Sequence, residues 1–306
     1  ALSSSETIEK SCVMRCVAWR SGWRGCVWAS SRRRQPSRCG SGLRTRAVPR
    51  HLRPATPPAL VSWRRGQVPP AGWLQEANHF CNSLVDRIVP GAPDAQTSAA
   101  ICADLGYEDK NLIISEVYRL WAIQGGSKVR EILSFAKADA GVVIAEDIEI
   151  YRELKLRLLN GTHTLMCGMS YLLGFRLVKD VMANGYLSKL VMNLMLSELA
   201  LAIPYKMDFK VADRFGRSVL DRFRNPFINH KLIDITVQYT TKMRMRNIPL
   251  LVQYYQEFGK APELFAMGFA AYLQFMHTVK EENGKYFGDS NGEMYPINCD
   301  YAAYFY

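Results

Sequence analysis

Hydrophobic positions follow two different patterns on either side of about residue 150. Before it, short β-branched or apolar runs occur at 112–115, 117–123 and 141–145, separated by polar turns. Runs of this length between turn residues are typical of strands. Residues 71–150 are therefore predicted to contain the last strands of an α/β domain.

After residue 150 the apolar positions recur with the period of an α-helix. This spacing predicts helices at 165–182, 187–203, 209–223, 230–242 and 264–279. Asn225 and Pro226 interrupt the pattern, and a proline near a first turn predicts that a new helix starts there. The predicted fold is a mainly α C-terminal domain over 151–306, preceded by the last part of an α/β domain.

Residues 1–70 differ in composition from the rest of the chain. They hold thirteen arginines and Lys10 against Glu6 and Glu9, so the net charge of +11 comes entirely from this segment. With little apolar periodicity, it is predicted to be irregular or disordered. A nucleic-acid-binding arm, an organelle transit peptide and translation in a wrong frame are three explanations. The abundance of Arg, Trp, Cys, Ser and Pro favours the last, so a nucleic-acid partner is not expected.

Cysteine spacing and hydropathy argue against several classes of site. Cys12 and Cys16 lack a second close pair of ligands, so no metal site is predicted. The four cysteines of residues 71–306 are scattered, which is typical of reduced thiols and predicts a cytoplasmic protein. Charged residues interrupt the most apolar stretch, 187–204, so neither a membrane span nor a membrane partner is predicted.

A short run in the helical part carries candidate chemistry. Lys155, Asn160 and His163 place an amine, an amide and an imidazole within an apolar helical pattern. At about 100° per residue, Lys155 and His163 lie about 80° apart and Asn160 about 60° beyond His163, so all three can line one wall of a cleft. Spacing alone favours the alternative of a solvated lysine, a local helix break and a core histidine.

Several blocks around this run resemble the polyol-specific long-chain dehydrogenase/reductase family, the mannitol dehydrogenase-like enzymes. The resemblance covers about residues 73–301, and ordered blocks are more specific than a single motif. The blocks lie at 80–91, 116–125, 151–164, 221–230 with 241–249 and, more weakly, 291–296. The block at 221–249 favours the tagaturonate reductase branch over the mannitol branch.

The resemblance implies a fold and a reaction. Residues 71–150 would be the C-terminal remnant of a Rossmann-type nucleotide-binding domain, and 151–306 a truncated helical domain of the mannitol dehydrogenase type. The implied reaction is hydride transfer from the cofactor NADH to a small-molecule hexuronate or polyol, and in the resembling branch it reduces tagaturonate to altronate. Fructuronate, fructose and mannitol are alternative substrates.

The resemblance also implies a role for each candidate residue. Lys155 is the general acid/base, Asn160 donates a hydrogen bond to the developing alkoxide, and His163 positions a substrate hydroxyl or Lys155 itself. Asn82 is the matching amide on the nucleotide-domain side. Because basic side chains bind carboxylates, the candidates for substrate binding are Arg222, Arg224, His230 and Lys242, with Arg244 and Arg246 in the same block.

One element of the family is missing from residues 1–70. The family's nucleotide-binding domain opens with a strand and a Gly-rich turn that hold the cofactor pyrophosphate, and residues 1–70 contain no such turn. The residues that bind NAD are therefore not identified from the sequence. The family also continues beyond the position of Tyr306, so the chain by itself is expected to have little or no activity.

Overall fold

The structure, a computed structural model, describes residues 16–17 and 78–306. Apart from residues 16–17, the predictions made for 1–70 lie outside the described residues. Strand β1 (Cys16–Val17) pairs antiparallel with β2 (Phe80–Cys81), and Cys16 is opposite Cys81.

A three-stranded sheet forms the first part of the described fold. Strand β3 (Ser83–Asp86) is antiparallel to β4 (Leu120–Gln124), and β4 is parallel to β5 (Val142–Ala145). Helix α1 (Ala95–Leu105) lies between β3 and β4 in the chain, and α2 (Ser127–Ile132) lies between the parallel strands, which need such a crossover. The α/β prediction is thereby confirmed.

Two of the three predicted strands are present. The runs at 117–123 and 141–145 correspond to β4 and β5. The run at 112–115 forms only an isolated bridge, in which Ile114 pairs with Gly91.

Helices make up most of the chain from residue 149 to residue 276, which confirms the predicted mainly α domain. The first run is continuous and consists of α3 (Glu149–Glu153), a π-helical segment (Leu154–Gly161) and α4 (Thr162–Leu172). The later elements are α5 (Val178–Ala183), α6 (Gly185–Asn193) with a π segment (Leu194–Leu199) and a 3-10 turn (Ala200–Ala202), α7 (Phe209–Phe223), α8 (Leu232–Ile235), α9 (Tyr239–Lys242) with a π segment (Met243–Asn247), α10 (Ile248–Phe258) and α11 (Glu263–Met276).

Three of the helix predictions were wrong at places where the backbone turns. One is the helix predicted at 230–242, which Gln238 divides with φ +55°. The helix predicted at 165–182 ends at Leu172, and Gly174 follows with φ +93°, a conformation that glycine adopts at little cost. No helix starts at Asn225 and Pro226. The Asn225 side-chain oxygen instead accepts the Phe227 N–H at 3.0 Å, a local turn that competes with helix formation.

The chain closes with a small antiparallel sheet that the hydrophobic pattern did not predict. Its strands are β6 (Lys280–Glu282), β7 (Lys285–Ser290) and β8 (Glu293–Ile297), followed by a 3-10 turn (Ala302–Phe305). Tyr295 of β8 is buried, and its hydroxyl donates to the Phe275 carbonyl of α11 at 2.9 Å. This contact attaches the sheet to the helical core.

Helix α4 passes close to the ring of Tyr239 at Gly168. A Cβ at Gly168 would lie 2.7 Å from the Tyr239 hydroxyl oxygen and 3.3 Å from the Phe275 Cβ. The hydroxyl is buried and donates to the Thr164 carbonyl at 2.8 Å, so it has little freedom to move. We expect Gly168→Ala to lower the free energy of unfolding by about 1–3 kcal/mol through overpacking.

Urea unfolding of the parent chain, of Gly168→Ala and of a matched control variant measures this loss of stability. Gly185→Ala is the control, because a Cβ there meets nothing within 4 Å. It should be neutral or stabilising, since alanine has the higher helix propensity by up to about 1 kcal/mol. Equal unfolding midpoints for the two variants would contradict the overpacking argument.

Candidate active site

The candidate residues lie on a π-helical segment rather than on a regular α-helix. Lys155 and Asn160 are inside the segment Leu154–Gly161, and His163 follows at the start of α4. A π-helix joins residues five apart by its backbone hydrogen bonds, so Lys155 and Asn160 come closer to one face than α-helical spacing predicts. Asn247 supports the widened turn, because its side-chain amide donates to the Gly161 carbonyl at 3.0 Å.

Lys155 connects this helical run to the sheet. Its Nζ donates a hydrogen bond to the Val85 carbonyl of β3 at 3.0 Å, and its side chain is partly exposed. The amine therefore lies where the helical part meets a strand of the α/β part. Asn160 is also partly exposed, and its backbone carbonyl accepts the Thr164 hydroxyl at 2.8 Å.

His163 is buried and neutral. Its ring stacks on Phe223 at a centroid distance of 4.0 Å and meets the His230 ring edge-on at 5.1 Å. Burial is the largest influence that lowers the pKa of His163 well below its ordinary value, and three nearby basic side chains lower it further, those of His230, Arg222 and Lys242. Within the described chain its Nε2 atom is buried without a hydrogen-bond partner. The ring therefore has one nitrogen whose hydrogen-bonding capacity is unused in the described chain.

The two neighbouring histidines, His163 and His230, predict a loss of stability in mild acid. Burial lowers the pKa of His230 to about 4, against an ordinary value of 6.5, and the pKa of His163 is also lowered. As the pH falls below about 6.5, the unfolded chain binds protons that the folded chain excludes. The free energy of unfolding should fall by up to about 1.4 kcal/mol per pH unit for each histidine.

Urea unfolding between about pH 7 and about pH 5 measures this slope, in a range where carboxylates stay largely ionised. His230→Gln should flatten the slope, because that side chain no longer titrates. His277→Gln is the matched control, since His277 is exposed in the folded chain. A slope unchanged by His230→Gln would refute the assignment.

The predicted substrate-binding residues fall into separate groups. His230 and Lys242 lie beside His163, and Lys242 is buried with its Nζ donating to the Ile235 carbonyl at 3.2 Å. Arg224 is exposed, and its guanidinium pairs with Asp221 at 3.1 Å. The structure therefore groups His230 and Lys242 with His163, whereas Arg224 lies on the surface.

Arg222 is occupied by carboxylates from the α/β part. Its Nη1 and Nη2 donate to Asp86 at 2.9 and 2.8 Å, while Nε and Nη2 donate to Glu116 at 3.0 and 2.7 Å. The guanidinium also lies over the Tyr118 ring, 4.1 Å from its centroid. Burial alone would lower the pKa of Arg222, but its hydrogen bonds with the two carboxylates outweigh burial and raise it. This geometry gives no support to the prediction that Arg222 contacts substrate.

An open cavity of about 680 Å³ lies at the carboxyl ends of β4 and β5. Asn82 lies beside it, donating from its side-chain amide to Gln124 at 2.9 Å. Gln124 in turn donates to the Glu146 carbonyl at 3.1 Å. The cavity is lined by Asn78, His79, Phe80, Cys81, Gln124, Gly125, Gly126, Val129 and Glu146. This is the edge at which open α/β sheets bind their ligands.

Sequence reasoning did not single out the Gly125–Gly126 turn. A Cβ at Gly125 would lie 2.6 Å from the Val129 Cβ, so only glycine fits where β4 passes into α2. The two adjacent glycines shortly after the strand predicted at 117–123 were the feature of the sequence that indicated a turn here. Phe223 was also missed, since nothing in the sequence indicates that it stacks on His163.

The described residues contain neither a metal-binding cluster nor a helix that could span a membrane. No group of three or more histidine, cysteine, aspartate or glutamate side chains in residues 78–306 is arranged to hold a metal ion. Within the same part of the chain, every helix is too short or too polar to cross a bilayer.

Comparison with known proteins relates the sequence of this chain to the mannitol dehydrogenases and altronate oxidoreductases. The model of the mannitol dehydrogenase Rossmann domain matches residues 60–134, and that of the mannitol dehydrogenase C-terminal domain matches residues 147–295. Altronate oxidoreductase of Bacillus subtilis (strain 168) is 38% identical over 205 residues, 67% of this chain and 42% of that protein. Altronate oxidoreductase of Yersinia enterocolitica is 37% identical over 228 residues, 74% of this chain and 44% of that protein.

The chain thus spans less than half the length of these curated relatives. Among solved structures, Pseudomonas fluorescens mannitol 2-dehydrogenase in ternary complex with NAD and D-mannitol superposes with a TM-score of 0.59 at 21% identity, covering 80% of this chain and 45% of that one. Substrate-free D-sorbitol dehydrogenase gives 0.56 at 23% identity, covering 72% and 44%. At these identities the superpositions establish the fold alone.

Proposed function

This chain belongs to the mannitol dehydrogenase family, and on that premise we propose that it acts as an NAD-dependent oxidoreductase that reduces tagaturonate to altronate. The observation that carries the proposal is the position of Lys155. Its amine lies at the junction of sheet and helices, where a cofactor on the sheet and a substrate on the helical side would meet. The names of the relatives at 33–38% identity support the choice of substrate.

The proton chemistry rests on the chain's own residues. During reduction the Lys155 ammonium gives a proton to the ketone oxygen, and the resulting amine takes it back from the alcohol in the reverse direction. Asn160 donates a hydrogen bond to the same oxygen as negative charge develops on it. Neutral His163 orients a substrate hydroxyl through its Nε2, which is buried and has no partner in the described part of the chain.

The sheet edge fits a nicotinamide cofactor. The cavity is large enough for part of a dinucleotide. Because a side chain at Gly125 would clash with Val129, the cavity wall at this residue consists of backbone, which a ligand can approach closely. Asn82, Gln124 and Gly126 are the residues that we assign to this contact. A bound nicotinamide supplies the hydride, while the protein supplies orientation and the proton.

His230 and Lys242 are our proposed contacts for the substrate's polar groups, because the His230 ring contacts His163 and, in addition to burial, the Lys242 ammonium lowers the pKa of both rings. A uronate carboxylate is attracted to the Lys242 ammonium. Fructuronate shares that carboxylate with tagaturonate, whereas mannitol and fructose lack it. Rates with the four substrates therefore test whether a carboxylate is recognised.

The direct test is an NADH titration of the purified chain, followed by tryptophan fluorescence. The sheet-edge cavity and the position of Lys155 lead us to expect more than the little or no activity that the sequence alone suggested. Saturable quenching, followed by tagaturonate-dependent NADH oxidation, is therefore the expected result. A sample shown to be folded by circular dichroism that neither binds NADH nor turns over would overturn the proposal.

A further inference from the structure

We infer that Arg222 is a positioning residue that holds Lys155 in place through strand β3. The inference rests on the proposed function, because it concerns the lysine to which that function assigns the proton transfer. It differs from the sequence-based expectation, in which Arg222 binds the substrate. Three sets of contacts support it.

The first set joins α7 to the α/β part. All three guanidinium nitrogens of Arg222, which belongs to α7, donate to the carboxylates of Asp86 and Glu116. The side chains of Arg222, Asp86 and Glu116 are 7%, 1% and 2% exposed, so water does not compete for these bonds. Paired, planar contacts of this kind fix the orientation of the guanidinium as well as its distance from the carboxylates.

The second set continues from the ion pair to Lys155. Asp86 directly follows Val85, whose carbonyl accepts the Lys155 Nζ hydrogen bond at 3.0 Å. Glu116 also accepts the backbone N–H of Ile88 at 2.6 Å. The backbone is therefore held at residues 86 and 88, next to the carbonyl that receives the lysine amine. Releasing Arg222 removes the charge that keeps both carboxylates in place.

The third set leads from Arg222 to the buried histidine. Phe223 is the next residue on α7, and its ring stacks on His163 at 4.0 Å. Arg222 thus lies between the strand that receives Lys155 and the ring that supports His163. A change at Arg222 is therefore transmitted to two candidate site residues, Lys155 and His163. In the described structure Arg222 makes no hydrogen bond with either of them.

Competitive acetylation of the full chain tests the inference without requiring turnover. Trace acetic anhydride and peptide mass spectrometry give the reactivity of Lys155 relative to Lys210, which is exposed. In Arg222→Lys the point charge cannot reproduce the paired contacts. Loss of the Lys155 hydrogen bond should raise its relative reactivity about 2–10-fold. Asp86→Asn is a second variant that breaks the same connection.

Arg217→Lys is the matched control, because Arg217 lies on the same helix in an exposed pair with Asp213. It should leave Lys155 reactivity unchanged. If folded Arg222→Lys and Asp86→Asn also leave it unchanged, the inference is overturned. An equal rise in all three variants would overturn it too, since the effect would then not be specific to the buried contacts.

Kinetics distinguish this inference from failure of the proposed function. A positioning role lowers kcat and displaces the pH–rate profile of Arg222→Lys with little change in KM, whereas a substrate contact raises KM selectively for substrates that carry a carboxylate. The latter pattern would overturn the inference. If Lys155 reactivity responds as expected but no variant or parent chain turns over, the positioning stands and the proposed function fails.

Discussion

Replacement of Arg222 by methionine is expected to lower the free energy of unfolding by about 3–5 kcal/mol. The methionine leaves the side chains of Asp86 and Glu116 buried close together, 1% and 2% exposed, without the cation that both now contact. Two unpaired carboxylates in such a site are costly to desolvate and repel each other. Urea unfolding monitored by circular dichroism measures the loss.

Two further variants give this prediction its controls. Arg217→Met removes an exposed pair on the same helix and should change stability by no more than about 0.5 kcal/mol. Adding Asp86→Asn and Glu116→Gln to Arg222→Met should recover part of the loss, because amides are cheaper to bury than carboxylates. If Arg222→Met were no less stable than Arg217→Met, the buried ion pair would contribute nothing.

Replacement of Lys155 by alanine is expected to lower kcat for tagaturonate reduction by about 10²–10⁴-fold. The reason is that alanine leaves no side-chain proton donor at the junction of β3 and the helical part, where the Lys155 amine lies. NADH affinity should stay within about threefold of the parent, since the contact with the nicotinamide is assigned to the sheet edge. Stopped-flow NADH absorbance separates the chemical step from binding.

Lys179→Ala is the matched control for this variant. The Lys179 amine also donates to a backbone carbonyl, that of Pro226 at 2.9 Å, from a partly exposed side chain. Its loss should leave kcat unchanged. Parallel losses of kcat in both variants would point to a general structural effect and would remove Lys155 from the mechanism.

Helix α7 shows that the sequence can predict the bounds of a helix correctly. Its apolar positions repeat regularly over 15 residues, and the predicted bounds 209–223 agree with the helix Phe209–Phe223. The pattern was misleading where backbone conformation overrides periodicity. At Gly174 and Gln238 the chain takes positive φ values of 93° and 55°, which end or divide helices that the apolar spacing alone continues.

For the candidate site, too, the residues were predicted from local sequence but their arrangement was not. Lys155, Asn160 and His163 were identified from a short run and a family resemblance, both of which are local features of the sequence. Their arrangement depends on a π-helical segment, which is supported by Asn247, 86 residues from the Gly161 carbonyl that it contacts. Spacing measured on an α-helix does not describe that face.

Periodicity and short motifs were enough to predict the helical class of the C-terminal part, the end of an α/β unit before it, and the run that carries the candidate lysine. Such patterns act through neighbours in the chain. The contacts of Arg222 with Asp86 and Glu116, at sequence separations of 136 and 106 residues, could be recognised only from the packed fold. The same holds for the burial of His163 against Phe223. Such contacts depend on how distant elements pack and exclude water, and a residue's own neighbours in sequence carry no record of that packing.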